Sequence, residues 1–169
     1  MKTFNALLLV GLAFLIVCCS PQSPEETADG IIEDVHVKLV YHSPRVRERQ
    51  GKIWGDMLPY GEVWRAGANE ATLVIFDKPV RVEGQPLDKG TYSLFMIPGE
   101  EEWTVIFNSA TDISGTEYES VKDQNVLEVS VQPRKNDELR EELNYEITDS
   151  ELRLNWEYLT IPVEVKAAD

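Results

Sequence analysis

A chain of 169 residues with 30 acidic and 16 basic side chains carries a formal net charge of −14. That charge argues against nucleic acid as a partner and against an anionic lipid surface as a docking face. It does not by itself select any other partner.

The first segment, MKTFNALLLVGLAFLIVCCS, places Lys2 ahead of an apolar run from Ala6 to Val17. The run is short for a membrane span and has the charge order of a secretory signal. Its end, LIVCCS, resembles a bacterial lipobox, in which an aliphatic residue stands three places before a cysteine that is acylated and becomes the new N-terminus. Cys19 has Ile16 in that place and the small Cys18 before the cut; the alternative, Cys18, has Leu15 but the bulkier Val17. Residues 1–18 are therefore expected to be a lipoprotein signal peptide. Cys19 is the expected lipidation site, and the bacterial cell envelope, on the periplasmic side or the cell surface, the expected location. The mature chain would then have 151 residues and a charge of −15, with its one thiol carrying lipid. No internal disulfide is then available, so stability has to come from a core, which a chain of this size can build. Membrane attachment would be by the lipid anchor only, each buried methylene contributing about 0.8 kcal/mol.

Residues 19–30, with SPQSPEETADG, hold Pro, Ser and acids and nothing apolar enough to pack, which predicts a flexible tether. The folded domain is placed at 31–169. From there the hydrophobic period is two. In DVHVKLVYH, Val35, Val37, Leu39 and Tyr41 alternate with His36, Lys38, Val40 and His42. ATLVIF is apolar on both faces and reads as a central strand. PVRVEGQPLDKGTYSLFMIPG gives two strands around a turn, and EWTVIFN and NVLEVSVQP give one each. SATDISGTEYESVKDQ is polar and aperiodic, a long loop with a helical turn. NDELREELNYEI opens like a capped helix and ends like a strand, taken from Glu142 onward. ELRLNWEYL and TIPVEVK close the domain. Short strands between Gly, Pro, Asp and Asn turns predict an all-β fold, a single antiparallel β-sandwich of jelly-roll or immunoglobulin-like kind.

PYGEVWRAGANEAT, residues 59–72, concentrates polar groups around small residues. EVWRA and EATLVIF around an AGAN tip predict a hairpin with Arg65 opposite Glu70 and with Gly67 and Asn69 supplying unusual backbone angles. One reading is a cross-strand ion pair; the other is a polar site in which Arg65 and Asn69 hold a ligand and Glu70 accepts from it or acts as acid or base. Trp64 alternates with Arg65 and is expected to face the core. Upstream, SPRVRERQGKIWG puts Arg45, Arg47 and Arg49 on one face of an extended segment. Residues 43–65 hold five basic and three acidic groups, a local net of +2 against −17 for the rest of the mature chain. Such an island can bind a carboxylate or phosphate, or merely balance acidic neighbours. Tyr60, with Trp54 and Trp64, adds aromatic faces that could stack on a sugar. His36 and His42 are too far apart along one strand to share a metal, and no metal-ligand spacing is present. No cofactor is indicated: GxSxG, P-loop and GxGxxG patterns are all missing.

SPRVRERQGKIWGDMLPYGEVWRAGANEATLVIF, followed by VEGQPLDKGTYSLFMIPGEEEWTVIFN, resembles the bacterial domain-of-unknown-function 2911 family over roughly residues 33–165. The resemblance implies an extracytoplasmic β-sandwich, often with a lipoprotein signal, from Bacteroidetes-like bacteria, and no established activity to carry over. One departure is Glu48 in Arg47–Glu48–Arg49, where the family often has glycine. The likeness centres on the segments of Ser43, Pro44 and Arg45 and of Trp64, Arg65, Asn69 and Glu70. The combined expectation is a ligand- or partner-binding module with Arg45, Tyr60, Arg65, Asn69 and Glu70 at its site. The ligand would be a sugar, peptide or carboxylate, or the partner an envelope protein. The alternatives are a hydrolase-like enzyme using Glu70 and a structural subunit of an envelope complex.

Overall fold

The computed structural model describes residues 23–168 except Gly115, so the signal segment and both cysteines lie outside the described residues. Among the described residues, ten strands form two antiparallel sheets, making an all-β sandwich. One sheet has six strands: β1 (Glu25–Ile32), β2 (Val35–His42), β3 (Thr72–Phe76), β6 (Gly90–Ile97), β7 (Trp103–Asn108) and β8 (Asn125–Val131), in that spatial order. The second has four, in the order β5 (Gln85–Leu87), β4 (Val80–Val82), β10 (Glu151–Ala167) and β9 (Arg134–Ile147).

The period-two pattern sets which face of each strand is buried. Val35, Val37, Leu39 and Tyr41 of β2 all point inward, and their alternates are exposed or half-buried. Each such side chain removed from water stabilises the fold by roughly 1.5–3 kcal/mol. They meet Leu154, Trp156, Ile161, Val163 and Val165 of β10 in the main core. β3 is central, between β2 and β6, as its two-sided apolar sequence implies. The outer face of the large sheet carries a smaller cluster of Ala71, Phe95 and Ile106. The 109–124 segment covers it with Ile113 and Tyr118, the latter in the four-residue helix α1 (Tyr118–Val121). Asn108, fully buried, fastens that cover: its amide donates to the Val121 carbonyl and to Asn125 Oδ1, and its oxygen accepts from the Ala110 N–H.

Three boundaries differ from expectation. Residues 25–30, read as tether, belong to β1, which pairs with β2 from Glu25↔His42 to Ile32↔Val35. An edge strand needs only backbone partners, so its polar side chains gave no apolar signal. The helix-like opening of NDELREELNYEI is strand from Arg134 onward: Leu139 stays 39% exposed, and the segment pairs with β10 instead of packing an apolar stripe. ELRLNWEYL and TIPVEVK form the single long strand β10, which pairs with β9 over 152–160 and with β4 over 165–167. Pro162 falls between those two pairings, where its missing N–H disrupts no ladder.

Between β2 and β3 the chain leaves the large sheet for 29 residues, 43–71, and builds the region that matters for function. Residues 43–46 cross to the other sheet. The Ser43 hydroxyl donates to the Leu143 carbonyl, the Leu143 N–H to Pro44, and the Val46 N–H to Glu141. This crossing covers part of the outer edge of β9.

Candidate functional site

The segment VWRAGANE is not a hairpin. Trp64 pairs with Met96, each N–H donating to the other's carbonyl at 2.7 and 2.8 Å, so residue 64 lies along β6 beyond the end of β3. Glu70 bridges to Ser114 in the cover loop. Residues 65–69 bulge out between these two attachments, and no ion pair joins Arg65 to Glu70.

The bulge is held from beneath. The Ala66 carbonyl, fully buried, accepts from the Tyr145 hydroxyl at 2.8 Å and from Thr72 Oγ1 at 3.0 Å. Burial pushes the Tyr145 phenol well above its ordinary value, with only a hydrogen bond to Thr72 working against it, so the hydroxyl stays a donor. The Gly67 carbonyl accepts from the Trp64 indole N–H at 2.9 Å, and the Ala68 N–H donates to His42. Ala66 and Asn69 take positive φ, 54° and 56°; Gly67 does not. Gly67 is required for space instead, since a Cβ there would sit 2.8 Å from Thr72 Oγ1 and 3.1 Å from the His42 carbonyl. Asn69, expected to contact ligand, clamps the start of the domain: its amide donates to the Ser23 carbonyl at 3.1 Å.

What this framework presents is a cleft of about 1730 Å³ between the 43–49 crossing, the 57–68 segment and the region around Tyr118. It exceeds the usual size of a small-molecule site, leaving room for an extended ligand such as a short peptide or sugar chain. Trp64 and Trp156, stacked with centroids 6.0 Å apart, form part of its wall. Arg45, Arg47, Arg49 and Arg65 line it, with Glu48, Glu62 and Glu119. The arginines are not equivalent. Arg45 pairs with Glu142, both about half exposed, an arrangement worth about 0–1 kcal/mol. Arg49 is used on its own loop, donating to the Val46 and Arg45 carbonyls. The segment is not extended as expected: Arg47–Arg49 form a 3-10 turn with Arg47 at φ 51°. Arg65 is half-buried, and its Nε is shut from solvent with no hydrogen-bond partner among the described residues.

Of the five predicted site residues, Arg45 and Arg65 come together in this cleft, and Tyr60, Asn69 and Glu70 do not line it. Tyr60, 42% exposed, lines a second groove of about 880 Å³ with Trp54, Glu157 and Tyr158. Glu70 is exposed and has no sheltered position against a substrate. Trp156 and Tyr118 were not singled out by sequence reasoning; they lie far along the chain and carry ordinary core and loop signals. All four tryptophans, Trp54, Trp64, Trp103 and Trp156, pack in one cluster between the two grooves, with paired ring centroids 4.9–6.5 Å apart. Among the described residues, the indole N–H groups of Trp54, Trp103 and Trp156 have no oxygen or nitrogen partner. The edge-on ring packing around Trp54 offers π faces to such groups. No grouping of His, Cys, Asp and Glu suited to a metal occurs among the described residues. His36 lies beside Asp29, its Nε2 2.9 Å from Asp29 Oδ1.

The family described as protein of unknown function, DUF2911, matches residues 23–165. The chain belongs to that family. The match begins at Ser23, where Asn69 clamps the chain, so β1 is part of the DUF2911 domain. No curated protein and no solved structure matches the chain.

Proposed function

We propose that this DUF2911 protein is a lipid-anchored extracytoplasmic binding module. Its site is the arginine- and tryptophan-lined cleft, and its ligand carries an acid group on an extended, partly apolar body, as an acidic peptide or an acidic sugar chain does. The observation that carries this reading is Arg65: a guanidinium on the cleft wall, carried by the hydrogen-bonded bulge, that makes no ion pair or hydrogen bond with another described residue. A guanidinium in that condition gains most from a planar carboxylate, which accepts two parallel N–H bonds. Trp64, 7% exposed above the buried Trp156, adds a small apolar patch to the wall. The lipid anchor is Cys19, with Cys18 as the alternative, on the strength of the lipobox in LIVCCS.

The test is thermal shift of the protein against small carboxylates, acidic peptides and neutral and acidic sugars. A ligand at 100 times its Kd stabilises the folded state by about 2.7 kcal/mol, a readily measured rise in Tm. Acid-bearing compounds should raise Tm and their neutral amides should not. Arg65→Gln should abolish the rise. A response to neutral sugars that Arg65→Gln leaves intact would refute the acid-group reading. Silence across the whole panel would turn the cleft over to a protein partner of the envelope.

A further inference from the structure

We infer that the cleft face is the membrane-facing surface of the molecule, held against the bilayer that carries the chain's own anchor, a placement that rests on the lipid anchor proposed above. Three independent features select the same face. The first is where the chain leaves the domain. Ser23 and Pro24 are themselves part of the cleft wall, fixed there by the Asn69 amide on the Ser23 carbonyl and by the Ser43 N–H on Pro24, 2.9 Å. Only five peptide steps separate Pro24 from Cys19, a reach of no more than about 18 Å at full extension. Because residues 25–30 are strand and not tether, the domain cannot stand off from the lipid as a twelve-residue linker would allow.

The second is charge. The cleft wall sets Arg45, Arg47, Arg49 and Arg65 against Glu48, Glu62 and Glu119, a net of +1, while the rest of the mature chain is −16. Beside an anionic bilayer the acidic body is repelled, and the arginine-bearing face is the one that can approach. The charge that excludes an anionic surface for the chain as a whole thus does not exclude it for this face. The third is the rim. Met57 and Val63, 38% and 36% exposed, stand at the cleft beside Arg47 and Arg49. Apolar tips among basic side chains suit the headgroup boundary. The opposite end of the sandwich also exposes an apolar side chain, Ile31 at 62%, but it stands among acidic groups, with Lys78 taken up by Asp34. There the β1–β2 turn presents Glu33 and Asp34, about 23 Å along β1 from Glu25 at the usual strand rise.

The consequence for the binding reading is that the ligand's acid group is met at the lipid–water boundary. The test uses the full acylated protein in vesicles of phosphatidylcholine with phosphatidylglycerol. A fluorophore is attached through Val63→Cys at the cleft rim or through Lys89→Cys in the turn before β6, at the far end of the sheet where Gly90 pairs with Phe76. Lipid bearing a nitroxide on its headgroup is the quencher. Quenching should be several-fold stronger at position 63 than at 89. Arg47→Glu should narrow the difference in the anionic vesicles and leave it unchanged in pure phosphatidylcholine. Equal quenching, or stronger quenching at 89, in a protein whose mass shows acylation would overturn the orientation and leave the anchor standing. A protein that carries no acyl mass and does not float with vesicles would overturn the anchor itself, and the orientation with it.

Discussion

The Ala66 carbonyl gives the sharpest prediction on the framework behind the cleft. It is fully buried and accepts from two hydroxyls, Tyr145 at 2.8 Å and Thr72 at 3.0 Å. Removing either donor leaves the carbonyl satisfied by the other. Tyr145→Phe and Thr72→Val should therefore each cost about 1 kcal/mol, the net worth of one ordinary hydrogen bond. Removing both orphans a buried carbonyl, which adds a desolvation penalty of about 1–3 kcal/mol. The double variant should thus fall below the sum of the singles by more than the roughly 0.5 kcal/mol within which independent sites add. Urea unfolding of the four proteins measures this directly, with the slope m checked for constancy. Thermal-shift response to an acidic ligand should weaken in the same double variant, because the bulge that aims Arg65 loosens. Additive losses with an unchanged ligand response would refute both the shared-acceptor account and the role given to the bulge.

Asn69→Gly keeps the positive backbone angle but removes the clamp on Ser23; it should cost about 1 kcal/mol and raise hydrogen exchange selectively at the start of β1. Asn108→Ala strips three hydrogen bonds from a fully buried position, so a loss above 2 kcal/mol is expected, with protease cleavage opening first within 109–124. Glu70→Gln, at an exposed site outside the cleft, should change neither Tm nor ligand response; loss of the response alone would restore Glu70 to the site. The pH profile should fall at both ends. Hydrogen bonding to Arg134 holds the Glu151 carboxyl below its ordinary 4.5, so its contribution is present above that value and is lost as pH falls through the lower folded-state value. The buried Tyr145 phenol is raised, so stability is retained below 10.0 and declines as pH climbs from there toward the folded-state value. Tyr145→Phe should flatten the alkaline limb only.

The sequence was most legible where a side chain's direction alone decides burial. Alternation in β2 assigned the inward residues correctly, and ATLVIF announced a central strand. It was least legible where the backbone does the work. Nothing in EETADG signals a strand, because β1 is held by ladder bonds along an edge. The hairpin misreading has the same root. Trp64 has a partner 32 residues away, at Met96, and no local pattern distinguishes that from a turn closing on β3. Gly67 was read for its freedom and is present for its lack of a Cβ, a requirement set by Thr72 and His42. Within the candidate site, Arg45 and Arg65 could be named early because guanidinium chemistry is local. Trp156 could not, because only the packing of β10 against the excursion brings it to Trp64.

The tryptophan cluster has an optical consequence. With every indole of the chain gathered in one place, and neighbouring rings 4.9–6.5 Å apart, excitation absorbed by one ring passes to the others before it is emitted. The protein behaves as a single chromophore, and the coupled ring transitions contribute to the far-ultraviolet dichroism that is ordinarily read as strand content. Trp64 and Trp156 face one groove and Trp54 the other. A spectral change on adding a ligand therefore announces occupancy without saying on which side of the cluster it occurred.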